Sequence, residues 1–235
     1  MMKIDRYTYC ARLLPALIVS LPFLILLFIT LPVIWKLIGA LSAMGVSVAL
    51  IFLMAQCGRD AGKRKEPELF RTIGGKPSTR LLRHSDGTLP PATKKRYHDF
   101  LAANAPGFTP PTLQQEASDP DAADRTYDSA VDWLRAKTRD TKLHDLLFAE
   151  NISYGFRRNL WGMKSMGITT CLFGALVIAG LFFGIPSFDM APPVAAAMLM
   201  IITIQIFFWV VVIRPRWVAI PAEAYAKTLL EFCDK

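Results

Sequence analysis

Apolar residues gather in four long blocks along the chain, and polar segments separate these blocks. The blocks are 13–35, 37–55, 166–185 and 191–213. Because an α-helix rises about 1.5 Å per residue, about 20 apolar residues are needed to cross the ~30 Å hydrocarbon core of a bilayer. Each block is close to that length, so the pattern predicts four transmembrane helices.

Short breaks divide the blocks into two pairs. Lys36 and a turn expected at 32–39 separate the first pair, while Pro186, Asp189 and Pro192 separate the second. The predicted fold class is an all-α membrane protein with four transmembrane helices in two helical hairpins and a mainly helical cytoplasmic insert between the second and third spans. The segments are an N-terminal tail 1–12, hairpin one 13–56, the insert 57–165, hairpin two 166–213 and a C-terminal tail 214–235.

The first block, preceded by Lys3, Arg6 and Arg12, also resembles a secretory signal peptide. The apolar core of a signal peptide spans about 7–15 residues. The block at 13–35 is longer and leads directly into a second apolar block. We therefore expect it to be retained as a transmembrane helix.

Lysine and arginine side chains cluster on one side of the predicted hairpins. They occur in the N-terminal tail, at 157–164 and at Arg214 and Arg216, whereas the hairpin turns contain Lys36 alone. Short loops rich in Lys and Arg stay in the cytoplasm. Both termini and the insert are therefore predicted to be cytoplasmic, on a bacterial inner membrane.

Charge is unevenly distributed within the insert. Residues 57–98 contain 11 Lys/Arg and 4 Asp/Glu, a net charge of +7, whereas residues 99–150 contain 5 Lys/Arg and 10 Asp/Glu, a net charge of −5. Cations near a membrane surface attract anionic headgroups by about 1 kcal/mol each. Four basic residues directly after the second span are expected to bind headgroups, although the same charges also serve to fix topology. They are Arg59, Lys63, Arg64 and Lys65.

The best-marked helix of the insert begins after Asp119. This residue is a favourable N-cap, Pro120 occupies the first helical position, and Asp121 suits the positive end of the helix dipole. Apolar residues at helical spacing then predict an amphipathic helix. They are Ala123, Tyr127, Ala130, Val131 and Leu134.

Other parts of the insert have weaker patterns. Short helices are expected at 66–72 and 92–104, and Gly74 with Gly75 ends the first of them. Residues 105–119 contain three prolines and are predicted to be a loop. A further helix is expected to begin near Thr141 and to continue towards the third span. Residues 80–89 fit either irregular structure or a small β-hairpin.

No catalytic, metal or cofactor motif is complete in the chain. Residues 58–64 resemble a phosphate-binding loop, but the P-loop pattern G-x-x-x-x-G-K-[S/T] has a longer glycine spacing and a hydroxyl residue after the lysine. The histidines His84, His98 and His144 lack convergent ligands, and His98 and His144, each followed by Asp, are expected to be solvated. The basic residues 94–96 accompany no nucleic-acid-binding motif. We therefore predict no catalytic, cofactor-binding or metal site, no enzymatic activity and no nucleic-acid partner.

The predicted spans contain small residues at helix-packing spacing and no charged residue well inside them. The lack of charge argues against ion-coupled transport. Small faces let helix backbones approach closely, either within one copy or in a homo-oligomer, and Gln205 and Thr203 are expected to hydrogen-bond across such interfaces. The small residues are Ala175, Ala179, Gly180 and Gly184, with Gly39 and Ala43 in the second span.

A segment before the third span combines aromatic and basic side chains. On a helix at the membrane surface, the rings would lie in the apolar layer and the guanidinium groups among phosphates. We predict a membrane-interface coupling element between insert and span, with a plain membrane anchor as the alternative. Its residues are Tyr154, Phe156, Arg157, Arg158, Trp161 and Lys164.

These features predict a non-enzymatic membrane protein whose insert senses or binds an unknown cytoplasmic partner. Such a protein would act as an oligomeric effector, a pore or a signalling or assembly component. The expected partners are a bilayer with anionic headgroups and further copies of the same chain. The alternative is a transporter or facilitator of a neutral or apolar solute, which requires no buried charge in the spans.

Overall fold

The computed structural model describes residues 5–38, 40–184 and 191–234, and at 27–38, 40–44, 46 and 184 it describes the backbone alone. The protein is 84% helical, and no strand occurs among the described residues. The all-α class is thus confirmed, and residues 80–89 form a helix end and turns in place of a β-hairpin. The α-helices are α1 Leu14–Ile38, α2 Ala40–Thr72, α3 Pro77–Leu82, α4 Pro91–Asn104, α5 Leu113–Ser118, α6 Pro120–Lys137, α7 Asp145–Gly162, α8 Lys164–Gly184, α9 Pro192–Phe207 and α10 Pro215–Leu230.

Three short segments extend these helices with different hydrogen bonding. Thr8–Leu13, before α1, and Phe208–Val212, after α9, are π-helical. Glu231–Asp234, after α10, is a 3₁₀ turn. The apolar helices α1 and α9 are therefore each continuous with a widened turn at one end.

The chain forms two compact units. Unit 1 comprises Met1–Glu66 and Gly155–Val218, and unit 2 comprises Pro67–Tyr154 and Ala219–Lys235. The boundaries between them fall inside α2, α7 and α10. Unit 2 thus contains the middle of the predicted insert together with most of the predicted C-terminal tail.

Unit 1 is built from the helices that the apolar blocks form. α8 packs against both α1 and α9, and its buried side chains include Cys171 and Ile178. α1 packs against α2 through Leu13, Ala16 and Ala55. Every apolar block therefore contributes to the same bundle.

Three segments of the described chain are long and apolar enough to cross a membrane, namely Thr8–Leu26, Lys164–Phe183 and Pro192–Val212. They overlap the first, third and fourth predicted spans. The second predicted span lies at the start of α2, where the side chains of 40–44 and 46 fall outside the description.

Exposed large apolar side chains are concentrated in unit 1. Leu176 of α8 is 70% exposed and Phe183 is 84% exposed, and Ile204 and Phe207 of α9 are 61% and 63% exposed. A protein surface in water rarely presents so continuous an apolar area. The surface of unit 1 therefore suggests a membrane protein. In the described part of unit 2, the exposed large apolar side chains are only Leu113, Leu143, Leu146 and Ile220.

Two predicted boundaries near the first hairpin are wrong. The turn expected at 32–39 is absent as far as Ile38, because α1 continues through Pro32. Proline is tolerated in apolar helices when neighbouring groups satisfy the backbone. The helix expected at 66–72 is the last part of α2, which ends at Thr72, and Gly74 and Gly75 follow with φ of 82° and 131° as the predicted break.

Unit 2 has its own apolar core around α6, which forms at the predicted place. The Asp119 carboxylate accepts a hydrogen bond from the Ala122 N–H at 2.9 Å. The five apolar residues predicted for its inner face are all buried, and the helix predicted at 92–104 is α4. The end of α10 and the turn after it complete this core with Ala226, Leu229, Leu230 and Cys233.

The loop predicted at 105–119 is wrong in part, because Leu113–Ser118 forms α5. Thr112 begins this helix with a capping box: its hydroxyl accepts from the Gln115 N–H, and the Gln115 side chain accepts from the Thr112 N–H. Reciprocal bonds of this kind satisfy backbone donors at a helix start. A helix of this length carries too few apolar residues to show a periodicity.

Candidate functional site

Prolines in α1 leave backbone carbonyls without their helical partners, and side chains from other helices replace those partners. A proline has no N–H, so the carbonyl four residues before it loses its hydrogen bond. The Ala11 carbonyl lies four residues before Pro15, in the π-helical turn, and the Asn159 amide donates to that oxygen at 2.7 Å. Asn159 is only 1% exposed. This buried amide therefore has a definite role in joining α7 to α1.

The same arrangement recurs deeper in unit 1. Pro22 frees the carbonyl of Ile18, and the Gln205 amide nitrogen donates to it at 2.6 Å. The Thr170 hydroxyl donates to the neighbouring carbonyl of Val19 at 3.1 Å. The prediction that Gln205 bonds across a helix interface is thus confirmed, and its acceptor is a backbone atom. For Thr203 the same prediction is wrong, because its hydroxyl donates to the Leu199 carbonyl of its own helix at 2.7 Å.

A third case lies where α7 meets the start of α10. Pro221 frees the carbonyl of Trp217, and Arg157 Nη1 donates to it at 3.0 Å. The Arg157 guanidinium also lies over the Trp217 ring, 4.8 Å from its centroid. Stacking on an aromatic face and bonding to a carbonyl together fix this arginine within the protein.

Arg158 departs from the expectation that its guanidinium lies among lipid phosphates. It is only 8% exposed, and its Nη1 donates to the Glu66 carboxylate at 2.8 Å. A buried guanidinium requires such a charge partner, because desolvation of an unpaired charge is costly. Arg158 therefore joins α7 to α2 as an internal ion pair.

Glycines permit the close crossing of α2 and α7. A Cβ at Gly162 would lie 2.6 Å from the Ala61 carbonyl carbon and 2.7 Å from the Gly62 Cα. A Cβ at Gly62 would lie 2.6 Å from the Asn159 Oδ1. The glycines that resembled a phosphate-binding loop thus belong to a helix-packing face. A GxxxG spacing at Gly58 and Gly62 was the available signal for it.

The remaining residues of the predicted coupling element lie along the same part of the chain. Trp161 is buried and Phe156 is half-buried, whereas Tyr154 belongs to unit 2 and is half-buried there. Lys164 Nζ donates to the Ile213 carbonyl at 2.8 Å. The aromatic and basic side chains of this element that lie in unit 1 thus have extensive protein contacts.

The four predicted headgroup-binding residues divide into two kinds. Lys63 and Arg64 are exposed and Arg59 is half-buried. Lys65 Nζ instead donates to the Trp161 carbonyl at 3.3 Å and lies 4.9 Å from the centroid of the Trp161 ring. Binding of headgroups by these residues stays a prediction.

The small residues predicted for helix packing do not form the buried face of α8. Gly180 is exposed, and a Cβ added there would meet no described atom within 4 Å, while Ala175 and Ala179 are half-buried. Among the described residues, the space beside Gly180 is therefore open within one copy, and oligomerisation through the small face stays a prediction. Gly39 lies outside the described residues, as do the side-chain surroundings of Ala43 and Gly184.

Unit 2 contains an open cleft of about 810 Å³. Two histidines from α4 and the preceding turn lie side by side in its wall, with 5.1 Å between the ring centroids of His84 and His98. His98 also stacks on Tyr127. The wall further includes Lys94, the exposed Leu113 and four prolines, namely Pro90, Pro91, Pro110 and Pro111.

Two buried ionisable groups in this wall, His98 and Lys94, bond to backbone carbonyls. His98 is 5% exposed, so the expectation that it is solvated is wrong, and its Nε2 lies 2.8 Å from the Leu82 carbonyl. The buried Lys94 ammonium donates to the carbonyls of Arg83 and Asp86. These contacts satisfy carbonyls at the end of α3, and burial lowers the pKa of both His98 and Lys94.

Glu116 of α5 supports the same turn from the other side. Its carboxylate accepts from the His84 N–H at 2.8 Å, the Ser85 N–H at 2.9 Å, the Ser85 hydroxyl at 2.8 Å and the Tyr127 hydroxyl at 3.1 Å. Burial acts to raise the pKa of Glu116, but these hydrogen bonds outweigh it and hold the pKa below its ordinary value. Glu116 is thus a charged acceptor in a fully bonded structural network.

The uneven charge of the insert is partly neutralised within unit 2. Arg83 Nε donates to Asp124 at 2.7 Å, and Lys76 pairs with Asp128. Basic side chains around α3 therefore pair with acidic side chains of α6. The sequence alone presents these charges as available for a partner, but within unit 2 they are paired with each other.

No group of three or more His, Cys, Asp or Glu side chains suited to a metal ion occurs among residues 5–38, 40–184 and 191–234. The chain matches no family model, no curated protein and no solved structure.

Proposed function

We propose that the chain is a non-enzymatic inner-membrane protein with four spans, both termini and the insert being cytoplasmic, and that unit 2 binds a partner there. The proposal of membrane insertion rests on the concentration of exposed large apolar side chains on α1, α2, α8 and α9. Within these helices, proline-freed carbonyls have internal donors, as backbone groups in hydrocarbon require.

The surface of α2 supports the second predicted span, at 37–55, and so a total of four spans. Its exposed residues Val48, Leu50, Phe52 and Leu53 are apolar, whereas the exposed residues from Gln56 onward are largely polar or charged. One exposed helix surface that changes from apolar to charged along its length is expected where a helix leaves a membrane. We therefore place a membrane boundary near Gln56.

The cleft of unit 2 supports binding without catalysis. Its volume of about 810 Å³ is within the usual range of small-molecule sites. Yet His98, Lys94 and Glu116 are engaged with backbone groups, so they are not poised for proton transfer to a substrate. We infer that the cleft is a recognition surface for a cytoplasmic ligand or peptide.

A facilitator of neutral solutes is the second candidate, and one buried amide favours it. Gln205 is 6% exposed, and its Oε1 has no hydrogen-bond partner in the described structure. A neutral polar solute passing between α1 and α9 would find an acceptor there. Solute-dependent flux into proteoliposomes separates this candidate from the first.

Cysteine accessibility in intact cells tests the topology. With the native cysteines Cys10, Cys57, Cys171 and Cys233 replaced, we expect Ser118→Cys to be shielded from a membrane-impermeant thiol reagent. Ser187→Cys, in the second hairpin turn, should be labelled. Labelling at Ser118 before cell lysis would place the insert outside and overturn the proposed orientation.

A further inference from the structure

Three cations from different parts of unit 1 meet at one end of the apolar bundle. Lys164 Nζ donates to the carbonyl of Ile213, the residue before Arg214. Lys65 Nζ donates to the carbonyl of Trp161, three residues before Lys164. The two ammonium groups therefore bond to backbone close to Lys164 and Arg214, which brings the three basic residues to one end of the bundle.

No carboxylate compensates this cluster in the part of unit 1 that the structure describes. None of the ion pairs among residues 5–38, 40–184 and 191–234 includes Lys65, Lys164 or Arg214. The nearest acid in sequence, Glu66, is bonded to Arg158. Carbonyls at helix ends offset the lysine charges in part. Arg214 is exposed and its side chain makes no hydrogen bond to a described residue, so the cluster retains a net attraction for an anion.

The position of the cluster identifies the anion. Lys164 is the first residue of one membrane-crossing segment, and Arg214 lies just after the end of another at Val212. Trp217, three residues after Arg214, is half-buried, and indole rings prefer the headgroup region of a bilayer. In a membrane-inserted protein, the phosphate groups at this end of the spans are those of lipids.

We propose that Lys65, Lys164 and Arg214 form a binding site for the phosphate of an anionic lipid headgroup. The site rests on the proposed membrane insertion and gives the predicted headgroup contact a specific location. Lys65 belongs to the headgroup-binding residues predicted from sequence, Lys164 to the coupling element, and Arg214 to neither. The two lysines also bond to carbonyls at helix ends, so their replacement would affect folding as well as anion binding. Replacement of Arg214 should affect anion binding alone.

Native mass spectrometry of the full-length protein in non-ionic detergent tests the site with phosphatidylglycerol, phosphatidylcholine and inorganic phosphate as probes. Wild-type protein should bind phosphatidylglycerol more tightly than phosphatidylcholine, and added sodium chloride should weaken that binding. Arg214→Gln should weaken phosphatidylglycerol binding about fivefold, as expected for one charge at a membrane surface. Arg139→Gln, which removes an exposed arginine of unit 2, should bind as wild type does.

Several outcomes would overturn the site. Equal affinity for the two lipids, or equal behaviour of Arg214→Gln and Arg139→Gln, contradicts it. Inorganic phosphate that binds as tightly as phosphatidylglycerol would make the ligand a soluble anion and overturn the lipid assignment. Should Arg214→Gln fail to fold, the wild-type protein still tests the site, because binding of phosphatidylglycerol that sodium chloride does not weaken would contradict it.

Membrane insertion is measured separately by carbonate extraction of cell membranes. Protein released by carbonate would refute the proposed function. Protein retained in the membrane without preference for phosphatidylglycerol would refute the lipid site alone.

Discussion

At the residue scale, prolines account for several of the side-chain hydrogen bonds inside unit 1. Pro22 and Pro221 each free one carbonyl, the Ala11 carbonyl lies four residues before Pro15, and a side chain from another helix donates to each of the three. The sequence predicts that Gln205 bonds across an interface, but it does not predict the acceptor. Identifying an acceptor requires the register between two helices, which no local pattern contains.

Removal of the Asn159 amide tests this account. Asn159→Leu should destabilise the protein by about 1–3 kcal/mol, because the Ala11 carbonyl is then buried without a partner. In a Pro15→Ala background, the new N–H can bond to Ala11, so the same substitution should be less harmful. The free energy of unfolding in detergent measures the coupling.

A cycle that combines Asn159→Leu with Pro22→Ala is the matched control. Pro22 frees a different carbonyl, at Ile18, so these two effects should add. Coupling as large as that with Pro15 would contradict a specific pairing of proline and donor.

His98 makes the stability of unit 2 depend on pH. Burial lowers its pKa below the ordinary 6.5, although the bond to the Leu82 carbonyl acts in the opposite direction. The unfolded state then binds the proton more readily, so stability is fully present above about pH 6.5 and is lost as the pH falls through the folded pKa. Thermal unfolding at a series of pH values should show this decline in the wild-type protein and its absence in His98→Gln.

The carboxylate of Glu116 does not interfere with this measurement. Its pKa lies below the ordinary 4.5, so its contribution is lost only at lower pH. An unchanged decline in His98→Gln would assign the effect to another group.

At the element scale, a helix was predicted correctly when several independent features of its sequence marked it. α6 has an N-cap, a proline at its first position and a periodic apolar face, and all of them agree with the structure. α5 has a cap but no apolar face, and it was not predicted. The crossing of α2 and α7 was missed for another reason: the small residues of α2 gain meaning only when Gly162 is placed against them.

Alanine substitution distinguishes a glycine at a close helix crossing, Gly162, from a glycine with open space beside it, Gly180. Gly162→Ala should destabilise unit 1 by about 1–3 kcal/mol, because the added methyl group meets the backbone of α2. Gly180→Ala should be neutral or stabilising, since alanine favours a helix by up to about 1 kcal/mol and the site is open. Melting temperatures in detergent measure both. Equal effects of the two substitutions would refute the close crossing.

At the scale of the whole molecule, exposed surface separates the two units more clearly than charge does. Unit 1 presents apolar side chains, whereas unit 2 pairs much of its charge internally, as Arg83 does with Asp124. Clusters of apolar residues are visible in a sequence, so the membrane part was predictable. Pairing between α3 and α6 depends on tertiary contacts, so the charge that remains for a partner was not predictable.

A pore is one of the roles predicted from the sequence, and a pore predicts a loss of membrane potential on overexpression in bacteria, measured with a potential-sensitive dye. Gly180→Ile should restore the potential if the open small face assembles the pore, because its side chain blocks close approach between copies. We expect folding within one copy to be retained, since a Cβ at Gly180 would meet no described atom within 4 Å, and the melting temperature in detergent checks this. Folded, inserted wild-type protein that leaves the potential unchanged would rule out the pore.

The participation of residues 226–233 in the core of unit 2 has a consequence for biogenesis. Leu229, Leu230 and Cys233 share that core with Leu81 and Tyr97, which are synthesised much earlier. The early part therefore stays incomplete, with its apolar surface uncovered, until the ribosome has made α8, α9 and α10. In the membrane-inserted protein that we propose, the core closes only after insertion of α8 and α9, through contacts of large sequence separation, the type of contact that slows folding.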